Sequence, residues 1–100
     1  MHGLAKLRIF INNYRDGYLY VVARANHQIY KVTLDGKAEL FAGTGQRGRK
    51  NGKRLDATFN YPNDLDFSPD GKYLYVNEEA DTLSDHRLLT PTVIRRIKLE

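Results

Sequence analysis

The chain has 100 residues, of which 41% are hydrophobic and 28% are charged, and it contains no cysteine. This length suffices for one domain and excludes a second independent core. The lack of cysteine excludes disulfides, thiolate metal sites and thiol nucleophiles. The net charge of +4 is weak evidence for an acidic partner, because a few extra lysines also serve solubility.

No membrane association is expected from the chain as given. Its apolar runs are too short to span a bilayer, and residues 1–6 lack the pattern of a signal peptide. The sequence therefore predicts a soluble protein and leaves its compartment open.

Seven runs of β-branched and aromatic residues, each bounded by Gly, Pro, Asn or Asp, predict seven strands. The predicted strands are 6–11, 18–23, 28–34, 38–42, 64–67, 73–77 and 93–99. Asp-Gly pairs at 16–17, 35–36 and 70–71 predict tight turns, because Gly accepts a positive φ and Asp bonds nearby backbone amides. With no long amphipathic helix in the pattern, the expected fold class is all-β.

The chain also repeats itself. The segment at Tyr18 returns at Tyr73, an offset of 55 (73 − 18), and the segment at Ile29 returns at Ile94, an offset of 65 (94 − 29). The second copy therefore carries ten additional residues (65 − 55), which fall in the polar stretch 78–92. Several strands are apolar at consecutive positions, which implies burial on both faces. Radially stacked blades of a β-propeller provide such burial.

The repeated segments resemble NHL-repeat β-propellers. Asn26-His27-Gln28-Ile29 resembles the signature from which NHL repeats take their name, and the glycine-containing stretch 42–71 resembles the passage into a following blade. The stretch 63–76 is similar also to the gluconolactonase- and strictosidine-synthase-like six-bladed propellers. Together these matches cover about residues 18–99, and they are more specific for the fold than for any activity.

The resemblance implies a partial propeller made of two antiparallel blades. Blade one is expected at about 4–42, a connecting loop at 43–62 and an incomplete second blade, without its outermost strand, at 63–100. Because two blades cannot close a ring, further blades from missing sequence or from other copies of the chain would complete it. The expected function is a ligand-binding or interaction scaffold for a small molecule or a protein. Whether the chain is part of an enzyme stays open.

Asn63 is the candidate metal ligand. The resemblance to gluconolactonase implies that an Asn at the start of an innermost strand helps to bind a divalent cation, usually Ca²⁺, and Ca²⁺ accepts amide oxygens. This alternative makes the chain part of a calcium-dependent lactonase-like hydrolase, with its other ligands on other blades. A second interpretation of Asn63, as a turn residue that bonds its own backbone, is equally open.

The connecting loop concentrates positive charge and supports a further alternative, an RNA-binding face. Some NHL propellers bind single-stranded RNA on a basic face, and Phe59 or Tyr61 could stack on bases. The other interpretation of these basic residues is that the loop is only solvated and binds no nucleic acid. The candidate nucleic-acid-binding residues are Arg47, Arg49, Lys50, Lys53 and Arg54.

Two motif matches are rejected at the level of sequence. The acidic residues around Asp70 do not form an EF-hand, because Pro69 stands where that loop needs Gly. The glycines at 43–48 match the letters of a dinucleotide fingerprint, but no helix is predicted after them. The acidic residues Glu78, Glu79, Asp81 and Asp85 are expected in the inserted loop, where they would be solvated or would bind a cation.

Overall fold

The structure, a computed structural model, describes residues 9–79 and 92–99 of the chain. Within these ranges the fold is all-β, as the sequence predicts, with two antiparallel sheets and one short 3-10 turn at Arg24–Asn26. None of the helical structure in the described ranges is long and apolar enough to cross a membrane.

The first sheet is a four-stranded meander in which each strand pairs with the next along the chain. Its tightest turn joins the first two strands through Asp16 and Gly17, whose φ angles are 53° and 86°. A two-residue turn with both φ angles positive matches the twist of the flanking strands. The strands are β1 (Ile9–Arg15), β2 (Tyr18–Ala23), β3 (Gln28–Thr33) and β4 (Ala38–Ala42).

The second sheet is a three-stranded meander of β5 (Pro62–Phe67), β6 (Tyr73–Glu79) and β7 (Thr92–Lys98). The turn from β5 to β6 is closed by side chains. The Ser68 hydroxyl donates to Asp70 Oδ1 over 2.7 Å, and the same carboxylate oxygen accepts the Lys72 N–H over 3.0 Å. These two hydrogen bonds, the one from Ser68 first, hold the pKa of Asp70 below its ordinary value.

The predicted boundary of the first strand is wrong at its C-terminal end. The pattern predicts an end at residue 11, but β1 continues to Arg15, and residues 6–8 lie outside the described part. A β-bulge between Ile11 and Asn13 takes up one extra residue of the Asn-rich stretch without ending the pairing. The predicted end of β6 at Asn77 is also too early, because the strand runs to Glu79.

The β2–β3 and β6–β7 hairpins pair in corresponding registers. Val22 lies opposite Ile29 in the first sheet, and Asn77 lies opposite Ile94 in the second. The sequence offsets of 55 and 65 relate every residue pair of one hairpin to a pair of the other over the shared length. Residues related by these offsets are called corresponding residues below.

A cation–π contact recurs at corresponding residues. Lys31 Nζ lies 3.9 Å from the centroid of the Tyr18 ring, and the Arg96 guanidinium carbon lies 4.6 Å from the Tyr73 ring. Each pair is diagonal across neighbouring strands, two residues from the directly opposite position, and long side chains reach that far. The two hairpins therefore share side-chain contacts as well as register.

The two sheets stack face to face, and their main core lies between them. β5 packs against both β1 and β2, so the first strands of the two sheets are neighbours. Asn13 Nδ2 donates to Asp66 Oδ1 across this junction over 3.0 Å. The buried core residues are Tyr20, Val22, Ile29, Ala42, Ala57, Phe59, Leu65, Leu74, Val76 and Ile97.

Candidate functional site

The connecting loop, residues 43–61, returns the chain from the edge strand β4 to β5 and carries most of the predicted site residues. No helix forms in this loop, in agreement with the sequence-based rejection of a dinucleotide site. Gly43 begins the crossing with a φ of 95°, and a Cβ there would lie 2.6 Å from the His27 carbonyl oxygen. Only glycine fits this close approach without displacement of the backbone.

A buried ion pair links the loop to the second sheet. Glu78 on β6 is fully buried, and its Oε1 lies 2.9 Å from Arg95 Nη1 and 3.3 Å from Arg49 Nε. Its other oxygen accepts the backbone N–H of Asn60 over 2.9 Å. Two guanidinium groups and one backbone amide thus satisfy a carboxylate that would be costly to bury alone.

Arg95 holds two separate parts of the loop. Its Nη1 donates to the carbonyl oxygen of Thr58 and its Nη2 donates to that of Lys50, each over 2.9 Å. The Asn51 side-chain oxygen accepts from Nη2 over 2.8 Å and from Nε over 3.1 Å. The guanidinium carbon also lies 5.4 Å from the centroid of the buried Phe59 ring. The planar fork of one arginine therefore adds side-chain hydrogen bonds to the backbone hydrogen bonds that the irregular loop makes within itself.

A second cluster of polar side chains surrounds Tyr61 at the end of the loop. The Tyr61 N–H donates to His27 Nδ1 over 3.0 Å, and its carbonyl oxygen accepts from Arg24 Nη1 over 2.8 Å. The guanidinium carbons of Arg24 and Arg47 lie 5.3 and 5.2 Å from the Tyr61 ring centroid. Burial, followed by repulsion from Arg47 and then Arg24, holds the pKa of His27 below its ordinary value.

Asn63, the predicted metal ligand, lies in β5 at a pairing irregularity between Pro62 and Asp64, and not in a turn. Its Oδ1 accepts a hydrogen bond from Arg24, whose other terminal nitrogen lies 2.7 Å from Glu79 Oε1. Within 9–79 and 92–99, no three or more His, Asp or Glu side chains are grouped so that they could hold a metal ion. The assignment of Ca²⁺ to Asn63 stays a prediction.

Three of the five predicted RNA contacts donate hydrogen bonds inside the protein. Arg47 Nε donates to Asn60 Oδ1 over 2.5 Å, and Arg49 Nη2 donates to the Glu79 carbonyl oxygen over 2.9 Å. Arg54 Nη1 donates to the carbonyl oxygen of Phe41 over 2.9 Å, and its guanidinium carbon lies 4.9 Å from that ring. A phosphate would compete with these protein acceptors.

The remaining RNA candidates are differently placed. Lys50 and Lys53 are exposed, so their ammonium groups are accessible to an anionic partner. Phe59 is completely buried in the core and cannot stack on a base, whereas Tyr61 is flanked by two arginines. The RNA-binding face stays a prediction, and its support comes from the two exposed lysines.

The expected position of Glu78 and Glu79 in the acidic inserted loop is wrong. Both residues belong to β6, and Glu78 is among the most buried residues of the chain, whereas Asp81 and Asp85 lie outside the described residues. The alternation of a strand gives the physical reason: Leu74 and Val76 face the core, so the next residue on that face is Glu78. Continuing that alternation beyond residue 77 would have located the buried charge from sequence.

Comparison of the chain with protein-family models finds no match, and comparison with curated proteins finds no significant match.

Proposed function

We propose that the chain is a two-blade segment of an NHL-type β-propeller that serves as a ligand-binding or interaction scaffold. The observation that carries this proposal is the stacking of two antiparallel meanders with corresponding registers, in which β5 packs against β1 and β2. Blades of a propeller stack in this way, with their first strands around a common axis. The connecting loop fits the same arrangement, because it runs from the last strand of one sheet to the first of the next.

A scaffold role follows from the polar groups as well as from the architecture. The buried Glu78 and Arg95 pair with each other, the partly exposed Arg49 also contacts Glu78, and Arg95 bonds the loop backbone, so these charged groups have a structural role. His27 Nδ1 accepts the Tyr61 backbone N–H, which is a structural contact. The propeller surfaces are therefore the parts of this chain that are proposed to bind a partner.

The propeller arrangement is tested by a cross-link at the junction of the first strands. The natural chain has no cysteine, so the double variant Asn13→Cys/Asp66→Cys carries the only thiols. Because these side chains are in hydrogen-bonding contact, oxidation or a short bismaleimide should join them within one chain. The two single variants are the controls and should show no intrachain product on non-reducing gels. A double variant that reacts no faster than unfolded chain would contradict the arrangement.

The scaffold function is tested against the enzyme and RNA alternatives on one folded sample. We expect no Ca²⁺-dependent hydrolysis of sugar lactones and no binding of single-stranded RNA at low salt. Lactone hydrolysis that is lost in Asn63→Ala would replace the scaffold with the hydrolase. RNA binding that weakens steeply with salt and is lost in Lys50→Glu/Lys53→Glu would replace it with the RNA-binding face.

A further inference from the structure

A pocket lies where the connecting loop meets the end of β7. Its volume is about 470 Å³, within the range of about 300–1,000 Å³ that is usual for small-molecule sites. One wall comes from the loop turn at 53–56, and the other comes from the last described residues of the chain. The residues that line the pocket are Lys53, Arg54, Leu55, Asp56, Lys98 and Leu99. The pocket thus has the size of a ligand site and joins two segments that are distant in sequence.

Backbone hydrogen bonds hold both walls of this pocket in place. In the loop wall, the Asp56 N–H donates to the Lys53 carbonyl oxygen over 2.9 Å, and the next residue, Ala57, is completely buried in the main core. In the other wall, the Leu99 N–H donates to the Lys72 carbonyl oxygen over 2.9 Å, and the Leu99 side chain packs against the same core. The pocket is therefore formed before any ligand binds, as is usual for small-molecule sites.

The pocket has an excess of positive charge. Its lining contains three cationic side chains and one carboxylate, which give a formal charge of +2 (3 − 1). Lys53 and Lys98 are exposed, and Arg54 is half-buried. Among the described residues, no ion pair joins Asp56 to any of these three cations. The positive charges are accessible and converge on one space, so they favour an anionic ligand.

Arg54 is held in a position from which it can bind an anion. Its Nη1 donates to the carbonyl oxygen of Phe41, and its guanidinium carbon lies over the Phe41 ring. These contacts fix the guanidinium, whereas its other N–H groups have no acceptor within the described part of the chain. A fixed guanidinium plane binds phosphate or carboxylate oxygens through paired hydrogen bonds. A ligand bound through the remaining N–H groups leaves the hydrogen bond to Phe41 intact.

The pocket also has an apolar surface beside its charges. Leu55 is 48% exposed in the loop wall, and Leu99 is half-buried in the other wall. An inorganic ion would leave the Leu55 side chain in water. A ligand with a hydrocarbon or aromatic body would cover it, and removal of apolar surface from water stabilises a complex. The lining therefore suits a ligand that combines an anionic group with an apolar body.

We propose that this pocket binds a small organic phosphate, a phosphate monoester with an aromatic or aliphatic body. A phosphate monoester carries about 1.5 to 2 negative charges at pH 7, which matches the formal charge of the pocket, whereas a carboxylate carries one. The proposal rests on the ligand-binding scaffold proposed above and names the class of its ligand. It differs from the RNA-binding alternative, because Lys98 and Leu99 line the pocket and the exposed Lys50 does not.

The first experiment titrates the folded chain with phenyl phosphate and follows the backbone amide signals by NMR. The signals of residues 53–56, 98 and 99 should shift and saturate, with a Kd on the order of 1 mM or below. Benzoate has less charge and inorganic phosphate has no ring, so each should bind about tenfold more weakly. The absence of a saturable shift at these residues would overturn the proposal. Equally tight binding of benzoate or of inorganic phosphate would also overturn it.

The second experiment locates the site with variants that circular dichroism shows to be folded. Lys98→Gln should raise the Kd for phenyl phosphate about tenfold, the usual effect of losing one charged hydrogen bond. Lys50→Gln is the matched control: it removes the same charge from an exposed lysine outside the pocket, so its Kd should stay within about twofold of the wild type. Leu55→Ala should weaken phenyl phosphate binding and leave inorganic phosphate binding unchanged. Equal effects of the two lysine variants would mean general attraction to a basic chain and would overturn the pocket.

The two proposals fail separately. If the intrachain Asn13→Cys/Asp66→Cys link forms while phenyl phosphate does not bind, the blade arrangement holds and only the organic phosphate is rejected as the ligand. If that link does not form while the amide signals of the pocket shift and saturate, the propeller arrangement is rejected and the phosphate site remains.

Discussion

Arg95 Nη1 lies 2.9 Å from the Glu78 carboxylate, and this contact joins two side chains that are both almost fully buried. The pair connects β6 and β7 diagonally on the face that packs against the first sheet and the connecting loop. An ion pair in such a position is expensive to break, because the remaining partner keeps its charge in a water-poor environment. Its removal should therefore affect both the loop and the sheet.

Replacement of Glu78 by Gln should lower the free energy of unfolding by about 3–5 kcal/mol, the usual cost of leaving a buried charge without its partner. Urea unfolding followed by circular dichroism measures the change. Glu79→Gln is the matched control: its partner Arg24 and Glu79 itself are partly exposed, so the loss should stay within about 1 kcal/mol. Equal losses in the two variants would show that the Glu78 charge is not buried in solution.

The stability of the chain should depend on pH through His27. Burial and the neighbouring Arg47 and Arg24 hold the pKa of His27 below its ordinary value of 6.5, so the unfolded chain binds a proton more readily than the folded chain. The stabilisation is therefore complete above pH 6.5 and is lost as the pH falls from there toward the lower pKa of the folded state. Urea midpoints between pH 8 and about pH 5 measure this slope.

His27→Asn isolates this contribution from that of the other two histidines. Asn retains an oxygen near the position of Nδ1 to accept the Tyr61 N–H, and it tolerates the left-handed φ of 57° found at His27. The variant should fold, and its stability should fall less than that of the wild type over the same pH range. Identical slopes would exclude His27 as the titrating group.

Phe59 should be the most sensitive apolar position of the connecting loop. It is completely buried between the sheets, and Phe59→Ala should lower the free energy of unfolding by about 3–5 kcal/mol through lost burial and a residual cavity. Leu55→Ala in the same loop changes an exposed side chain and should have an effect within about 0.5 kcal/mol. Chemical denaturation measures both values. Similar small effects would mean that the loop does not pack between the sheets.

Gly17 and Gly43 have similar φ angles but different surroundings, so a comparison of their alanine variants distinguishes backbone strain from steric contact. Gly17 has a φ of 86° with open space around its Cα, whereas a Cβ on Gly43 would meet the His27 carbonyl oxygen at 2.6 Å and the Phe59 ring at 3.0 Å. Both alanine variants carry the strain of a positive φ, about 1–2 kcal/mol. Gly43→Ala should be less stable than Gly17→Ala by at least about 1 kcal/mol, because neighbouring atoms must also move. Thermal and urea unfolding should rank the two variants in the same order.

The sequence predicts the strands best where local pattern decides their limits. β2 and β4 begin and end at the predicted residues, since each is a compact apolar run beside an Asp-Gly turn or a glycine. The sequence pattern ends β1 too early, because Asn12 and Asn13 have low strand propensity and the bulge that accommodates them has no local signal. Local preference therefore fails where pairing with a neighbouring strand overrides it.

The hydrogen bonds and ion pairs that hold the connecting loop to the second sheet could be predicted only in part. Alternation along β6 and β7 is enough to place Glu78 and Arg95 on the core face. The further partners of Arg95 are carbonyl oxygens 37 and 45 residues earlier in the chain, and no sequence pattern specifies a side chain by backbone acceptors so distant. The sequence predicts Arg47, Arg49 and Arg54 as RNA contacts because their acceptors inside the protein come from tertiary contacts that no local pattern shows.

The way in which the loop is held has a consequence for proteolysis. Trypsin cuts after Lys or Arg when a segment can extend into its active site, and this loop contains five such residues. However, the carbonyl oxygens of the bonds after Lys50, Lys53 and Arg54 accept hydrogen bonds from Arg95, Asp56 and Gly43, respectively. The most basic segment of the folded chain should thus resist trypsin, and cutting there should proceed only as fast as the loop detaches from the sheets.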